Sequence, residues 1–153
     1  MVRLITFLLL AMMGGVIVGM GFGQGNGMVD LETYTWKNRL LMIFSPSEEY
    51  PRYRDLTREL REQHDEISDR DLLIFRILER GESQLGDSPI DEASADLLRD
   101  RLSARAGQFT VVLIGKDGGE KLRRSDEVDL GEIFALIDSM PMRQRERSQR
   151  KSQ

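Results

Sequence analysis

Three short apolar runs punctuate the chain, and none of them alternates with polar residues. They are Leu40–Phe44, Leu72–Phe75 with Ile77 just beyond it, and Phe109–Ile114. Continuous apolar runs of this length, bounded by polar residues, are typical of strands buried on both faces. A buried helix is the competing interpretation of any one run, but each run is short for a helix. The pattern therefore predicts three central strands.

Amphipathic segments separate these runs and follow the last one. Apolar residues recur at helical spacing from 48 to 67 and again from 91 to 104. An apolar stripe at helical spacing predicts a third helix from 129 to 139. Pro141, just past the stripe, marks its end. The segment from 81 to 89 is expected to be a loop.

The third apolar run leads into a hairpin signal. Asp117-Gly118 stands between that run and the charged segment Glu120–Arg123, which indicates a fourth strand antiparallel to the third. The element order is then β-α-β-α-β-β-α. Buried strands joined by helices are expected to pair in parallel, and the hairpin adds an antiparallel edge strand. This order predicts an α/β fold, a thioredoxin-like three-layer sandwich with a mixed sheet.

The first residues differ in composition from everything that follows. Arg3 is followed by the uncharged stretch Leu4–Phe22, which is the layout of a signal peptide. The stretch is also nearly as long as the roughly 20 residues that a membrane-spanning helix needs. In either case the domain is expected outside the cytoplasm, periplasmic or extracellular, or anchored in the inner membrane. The predicted divisions are a signal peptide or anchor (1–23), a linker (24–30), the domain (31–142) and a basic disordered tail (143–153).

Charge and cysteine content narrow the classes of function. The chain has 22 basic and 26 acidic residues, a formal net charge of −4, and no cysteine. A mildly acidic domain is a poor general binder of nucleic acid. Without a thiol, the chain has no residue for thiol oxidoreduction or cysteine-based peroxidase chemistry. Peripheral membrane contact through the N-terminus or the basic tail is a further hypothesis.

Four sequence blocks, in a fixed order, carry a resemblance to a known family. They are Tyr34-x-Trp36-Lys37-Asn38-Arg39-Leu40-Leu41-x-Ile43-Phe44-x-Pro46, Arg70-Asp71-Leu72, Phe109-Thr110-Val111-Val112-Leu113-Ile114-Gly115-Lys116-Asp117-Gly118-Gly119-x-Lys121-Leu122-Arg123 and Ile137-Asp138-x-Met140-Pro141-Met142-Arg143. Together they resemble a bacterial family of short exported proteins named only as a domain of unknown function. The module is also similar to the repeated domain of a vertebrate coiled-coil-domain extracellular-matrix protein and to the C-terminal domain of sushi-repeat matrix proteins.

That resemblance covers residues 31 to 144, essentially the whole predicted domain. It implies a thioredoxin-like or peroxiredoxin-like fold and secretion. It supplies no catalytic residues to carry over. The matrix proteins among the relatives favour a binding role.

A reactive group in this fold would lie just after the first buried strand, at the start of the next helix. In this chain the position is occupied by Ser45, Pro46, Ser47 and Glu48. A serine hydroxyl is barely ionised without an adjacent base, and the single histidine, His64, lies well down the helix. We expect Ser45 or Ser47 to cap that helix, with Pro51 as an alternative first helical residue.

Two surface regions are candidates for binding. The first is an aromatic-basic cluster that either contacts a partner or packs the end of the first strand, formed by Tyr34, Trp36, Lys37 and Arg39. The second ends the last helix and either forms an adaptable apolar contact or closes the core, and comprises Met140, Met142 and Arg143. One histidine without cysteine offers no metal-ligand set, so no metal or cofactor is expected.

These observations predict a non-catalytic protein-interaction module of the cell envelope with an unidentified protein partner. The alternative is an enzyme or small-ligand binder that uses an unrecognised non-thiol site.

Overall fold

The computed structural model describes residues 29–152, so the predicted signal segment and most of the linker lie outside the described residues. A short 3-10 helix, Leu31–Tyr34, precedes the first strand. The strands are β1 (Arg39–Ser47), β2 (Leu72–Arg80), β3 (Ser83–Leu85), β4 (Ser88–Ile90), β5 (Thr110–Ile114) and β6 (Glu120–Arg124). The helices are α1 (Pro51–Glu62), α2 (His64–Asp69), α3 (Glu92–Arg101), α4 (Leu130–Ser139) and α5 (Pro141–Lys151).

The six strands form one mixed sheet in the order β4-β3-β2-β1-β5-β6. The three apolar runs are β1, β2 and β5, and every residue of β1 and β5 is buried. The hairpin prediction is also confirmed, because β6 pairs antiparallel with β5. Burial on both faces explains why these strands show no alternation in the sequence.

Helices cover both faces of the sheet. On one face α1 and α4 pack on side chains that include Leu41, Ile43 and Val111. On the other face α3 and the 3-10 helix pack on Met42, Phe44 and their neighbours. The structure therefore confirms the predicted three-layer α/β sandwich with a mixed sheet.

The direction of β5 differs from the prediction of parallel central strands. Only β1 and β2 are parallel, whereas β5 runs antiparallel to β1, with Thr110 opposite Phe44. After α3 the chain turns back before β5 begins, and the Gly107 amide donates to the Glu79 carboxylate at 2.6 Å near the end of β2. The segment between α3 and β5, residues 102–109, therefore brings the chain back so that β5 runs opposite to β1. We call the end where β1 and β2 begin the amino-terminal pole, and the end where they finish the carboxyl-terminal pole.

Two further predictions of local structure are corrected. The segment predicted as a loop, 81–89, contains the hairpin of β3 and β4, which extends the sheet beside β2. Strands of three residues are too short for an alternating pattern to show in the sequence. The single helix predicted from 48 to 67 is two helices, α1 and α2, that meet at Gln63.

The largest correction concerns the C-terminal residues. The sequence predicted a basic disordered tail from 143, but residues 141–151 form α5. Pro141 stands at the start of α5, where its fixed φ and missing N–H suit a helix. Arg143 is almost fully buried, at 2% exposed. The helix escaped prediction because charged side chains, rather than an apolar stripe, attach it to the domain.

Candidate functional site

The end of β1, where this fold would carry a reactive group, is occupied by buried and hydrogen-bonded residues. Ser45, Pro46 and Ser47 are the last residues of β1, and Glu48 follows in an exposed turn. The Ser45 hydroxyl is 1% exposed and donates to the Ser47 carbonyl at 2.9 Å. Nucleophilic attack by a serine needs a base as the acceptor of that proton. The Ser45 hydroxyl is instead engaged with a backbone carbonyl of its own strand.

The helix that follows β1 does not begin as first predicted. Neither Ser45 nor Ser47 caps it, because α1 begins at Pro51 with Tyr50 at the cap position and without a side-chain cap among the described residues. The alternative prediction, Pro51 as the first helical residue, is confirmed. The Tyr50 ring stacks on Phe109, with ring centroids 5.9 Å apart. An aromatic pair therefore packs at the carboxyl-terminal pole.

The amino-terminal pole contains a buried network of ion pairs. Arg39, the first residue of β1, is 0% exposed, and its guanidinium donates to both carboxylate oxygens of Glu146 at 3.2 and 3.3 Å. Lys116, just past β5, lies 2.8 Å from the same Glu146 carboxylate and 2.8 Å from that of Asp71. Burial opposes ionisation of Glu146, but hydrogen bonds from Lys116 and Arg39 outweigh it and hold its pKa below the ordinary value.

A second part of this network joins α5 to α4, to the last residue of α2 and to the turn before β2. Arg143 on α5 donates to the Asp138 carboxylate at 3.0 Å, to the Asp69 backbone carbonyl at 2.6 Å and to the Asp69 carboxylate. Arg70 donates to the other oxygen of Asp138 at 2.6 Å and lies over the Phe134 ring. Hydrogen bonds from Arg143 lower the pKa of Asp69, and they lower that of Asp138 against the effect of burial.

Trp36 has an unusual backbone conformation beside this network. Its φ is +66°, in the left-handed region that bulky residues rarely adopt. The Trp36 amide donates to the Lys116 carbonyl at 2.6 Å, and the Asn38 amide donates to the Tyr34 carbonyl at 2.9 Å. These bonds hold the turn before β1 in place, while the indole itself is 67% exposed.

The exposed indole forms one side of a surface groove of about 500 Å³. We call it the Trp36 groove. It lies between the turn before β1, the β5–β6 turn and the junction of α4 with α5. Its lining residues are Trp36, Arg39, Gly115, Lys116, Asp117, Lys121, Ser139, Met140, Pro141, Met142 and Arg145.

The structure divides the predicted binding residues into exposed and buried groups. Trp36 and Lys37 are exposed, whereas Tyr34 packs edge-on against the Phe75 ring with centroids 5.8 Å apart. Arg39, which the sequence left either in a surface cluster or packed at the end of the first strand, is a buried member of the ion-pair network. The folded chain thus brings only part of the aromatic-basic cluster to the surface.

The second predicted cluster divides in a similar way. Met140 and Met142 are partly buried and line the Trp36 groove, and Met140 also packs against the core beneath α4. Arg143 faces the ion pairs instead and is not part of the groove lining. Sequence reasoning gave Lys116 no role beyond the β5–β6 turn, and it placed Arg145 and Glu146 in a disordered tail. A signal was available, because residues 143, 146 and 150 share one face of any helix that begins at Pro141.

Within residues 29–152, no three histidine, aspartate or glutamate side chains lie together in a way that could hold a metal ion. His64 is the first residue of α2 and is exposed. Over the same described range, no helix is both long and apolar enough to cross a bilayer.

The fold and its two poles define a thioredoxin-like domain whose sequence contains no cysteine. The chain belongs to the family of the domain of unknown function DUF4174, whose model matches residues 30–146. No curated protein matches the sequence.

Peroxiredoxins are among the solved structures with a similar fold. The reduced 2-Cys peroxiredoxin of Plasmodium vivax aligns with a TM-score of 0.54 and 14% identity, covering 76% of this chain and 72% of that one. The thioredoxin peroxidase I of Plasmodium yoelii aligns with a TM-score of 0.54 and 16% identity, covering 76% of this chain and 80% of that one. At this identity the likeness concerns the fold alone.

The buried guanidinium of Arg143 should be needed for the attachment of α5. We expect Arg143→Met to lower the free energy of unfolding by about 2 kcal/mol, since it removes charged hydrogen bonds and leaves two carboxylates without their partner. Urea unfolding followed by circular dichroism measures the change. Arg147→Met is the matched control, because Arg147 is exposed and forms no ion pair within residues 29–152. Equal stability of the two variants would contradict docking of α5 by ion pairs.

Stability should also depend on the protonation of these carboxylates. The pKa values of Asp69, Asp138 and Glu146 lie lower in the folded protein than in the unfolded chain, so the unfolded chain binds more protons in acid. Their stabilising contribution is therefore complete above about pH 4.5 and is lost as the pH falls below it. Urea unfolding from pH 7 to pH 3 should show this loss. The variant Asp138→Asn should show a smaller loss, and an identical pH profile for both proteins would refute the contribution of Asp138.

Proposed function

We propose that this domain is a non-catalytic protein-interaction module and that the Trp36 groove is its contact surface. The observation that carries the proposal is the exposed indole of Trp36, held in a left-handed backbone conformation by its hydrogen bond to Lys116. A residue in such a conformation costs about 1–3 kcal/mol. An exposed side chain returns little of that cost through packing in the free domain, which supports a role for Trp36 in binding.

The groove has the composition of a binding surface for protein. Tryptophan is among the residues enriched at the centres of protein interfaces, because its large rigid ring buries much area at little entropic cost. Methionine side chains such as Met140 and Met142 adapt to the shape of a partner. Both kinds of residue line the Trp36 groove.

The carboxyl-terminal pole supports the non-catalytic part of the proposal. The chain contains no cysteine, and the Ser45 hydroxyl donates to a backbone carbonyl. Among residues 29–152, no serine or threonine hydroxyl donates to the imidazole of His64. The resemblance to modules of vertebrate matrix proteins favours binding as well.

We further propose that the module works outside the cytoplasm, in the cell envelope. The support lies in the sequence, where Arg3 precedes the uncharged stretch Leu4–Phe22. The resemblance to an exported bacterial family points the same way.

Photocrosslinking at position 36 tests the interaction. A benzophenone amino acid replacing Trp36 should form a covalent adduct with a discrete protein in cells, since a partner must cover this position. Leu97 is the matched control, because it is the other large apolar residue exposed in residues 29–152 and does not line the groove. An excess of unlabelled wild-type domain should suppress the adduct, and an excess of the Trp36→Ala domain should not. No adduct at 36, or the same adducts at 36 and 97, would contradict the proposal.

Protease accessibility in spheroplasts tests the location. The full chain should be degraded by added protease while a cytoplasmic marker survives, and a version lacking residues 1–23 should be protected. Protection of the full chain would contradict export. The intact mass of the exported protein then distinguishes a cleaved signal peptide, with a mass below 17.6 kDa, from a retained anchor.

A further inference from the structure

We infer that the Trp36 groove binds an acidic segment of a partner protein, with an apolar side chain seated between Trp36 and the methionines and a neighbouring carboxylate at Arg145. This inference rests on the proposed function and names the chemistry of the partner. It follows from the shape of the groove and from the charges that line it.

The apolar lining of the groove comes from two parts of the fold. Trp36 stands on the turn before β1, and Met140, Pro141 and Met142 form the junction of α4 with α5. A concave site with a volume of about 500 Å³ is in the range that encloses a ligand or a few side chains. It is suited to a short segment of chain with an inserted apolar residue.

The charges that line the groove are mostly positive. Arg39, Lys116, Lys121 and Arg145 line it, against the single carboxylate of Asp117. Ion pairs within the domain already occupy several of these cations: Glu146 binds Arg39 and Lys116, and Asp117 binds Lys121. A ligand carboxylate can therefore bind only to groups of these side chains that the ion pairs of the domain leave without a partner.

Two such groups are present at the groove. Arg145 is exposed and forms no ion pair or hydrogen bond within residues 29–152. Arg39 is fully buried, and its Nε atom has no hydrogen-bond partner among the described residues. A carboxylate in the groove could form a charged hydrogen bond with Arg145 at the rim and would be attracted by the buried guanidinium of Arg39.

The groove is lined mainly by positive charges, whereas the whole chain has a negative net charge. This difference favours a protein segment over a membrane surface as the ligand. The chain has a formal net charge of −4, and a broad anionic bilayer would meet that overall charge. A short acidic segment inside the groove would meet mainly the local cations, since more distant charges are screened beyond about 8 Å at physiological salt. A recessed apolar site also suits an inserted side chain better than a flat lipid surface.

The pair Arg145→Glu and Arg147→Glu tests this assignment. Both residues are exposed on α5, both changes alter the net charge equally, and only Arg145 lines the groove. Trp36 is the single tryptophan of the chain, so intrinsic fluorescence reports directly on what covers the groove.

The ligand class is found with a random heptapeptide library selected on the wild-type domain. The selected peptides should combine aspartate or glutamate with a neighbouring apolar residue, and their synthetic versions should change the Trp36 emission. Arg145→Glu should weaken their binding on the order of tenfold, because it places like charges together, while Arg147→Glu stays within about twofold. Replacing the acids in the peptides by asparagine and glutamine should weaken binding in the same way.

Other outcomes overturn the inference. Neutral or basic selected peptides, no selected peptides, or equal effects of the two variants would each do so. A blue shift of Trp36 with phosphatidylglycerol vesicles, weakened equally by both variants, would assign the surface to lipid instead. If crosslinking at position 36 captures a partner whose contacting segment is not acidic, the interaction module stands and only the partner chemistry is wrong.

Discussion

The buried guanidinium of Arg39 is the constraint on which the rest of the amino-terminal pole depends. A charge with 0% exposure at the start of a central strand costs several kcal/mol unless an anion and hydrogen bonds compensate it. Glu146 supplies the anion from α5, and the Arg70 carbonyl accepts a further hydrogen bond at 2.8 Å. Folding of the sheet around Arg39 therefore requires α5 to lie against this pole. The composition of α5 is that of a solvated segment, but α5 is held against the domain because the buried guanidinium of Arg39 requires the Glu146 carboxylate.

The same ion pairs position both walls of the Trp36 groove. Lys116 connects them, because its ammonium group binds Glu146 and Asp71 while its carbonyl accepts the Trp36 amide. Attachment of α5 through Glu146 fixes the α4–α5 junction, where Met140 lies. The groove is therefore largely pre-formed, which reduces the entropic cost of binding a partner. The geometry of the Trp36 groove is thus set by the same buried ion pairs that stabilise the fold.

The apolar runs were enough to predict the central strands, the three layers and the mixed sheet, since burial on both faces leaves a local trace in the sequence. The ion-pair network leaves almost none. Arg39 and Glu146 are 107 positions apart, and patterns of hydropathy assign every charged residue to the surface. For that reason the sequence could not decide whether Arg39 is exposed or packed at the end of the first strand, and it predicted residues 143–153 as disordered. The reversal of β5 was missed for a related cause, because the segment between α3 and β5 has no periodicity.

The two poles of the domain differ in whether their polar and aromatic side chains are engaged within the fold. At the carboxyl-terminal pole, where this fold would carry reactive chemistry, Ser45 donates to its own strand and Tyr50 is stacked on Phe109. At the amino-terminal pole a strained, exposed Trp36 and an Arg145 that has no ion pair among residues 29–152 lie beside the apolar lining of the groove. Backbone strain persists in a folded protein only when the surrounding structure enforces it. Here the hydrogen bond from the Trp36 amide to the Lys116 carbonyl, together with the ion pairs of Lys116, provides that enforcement. The pole opposite the usual reactive position is therefore the one where we propose that a partner binds.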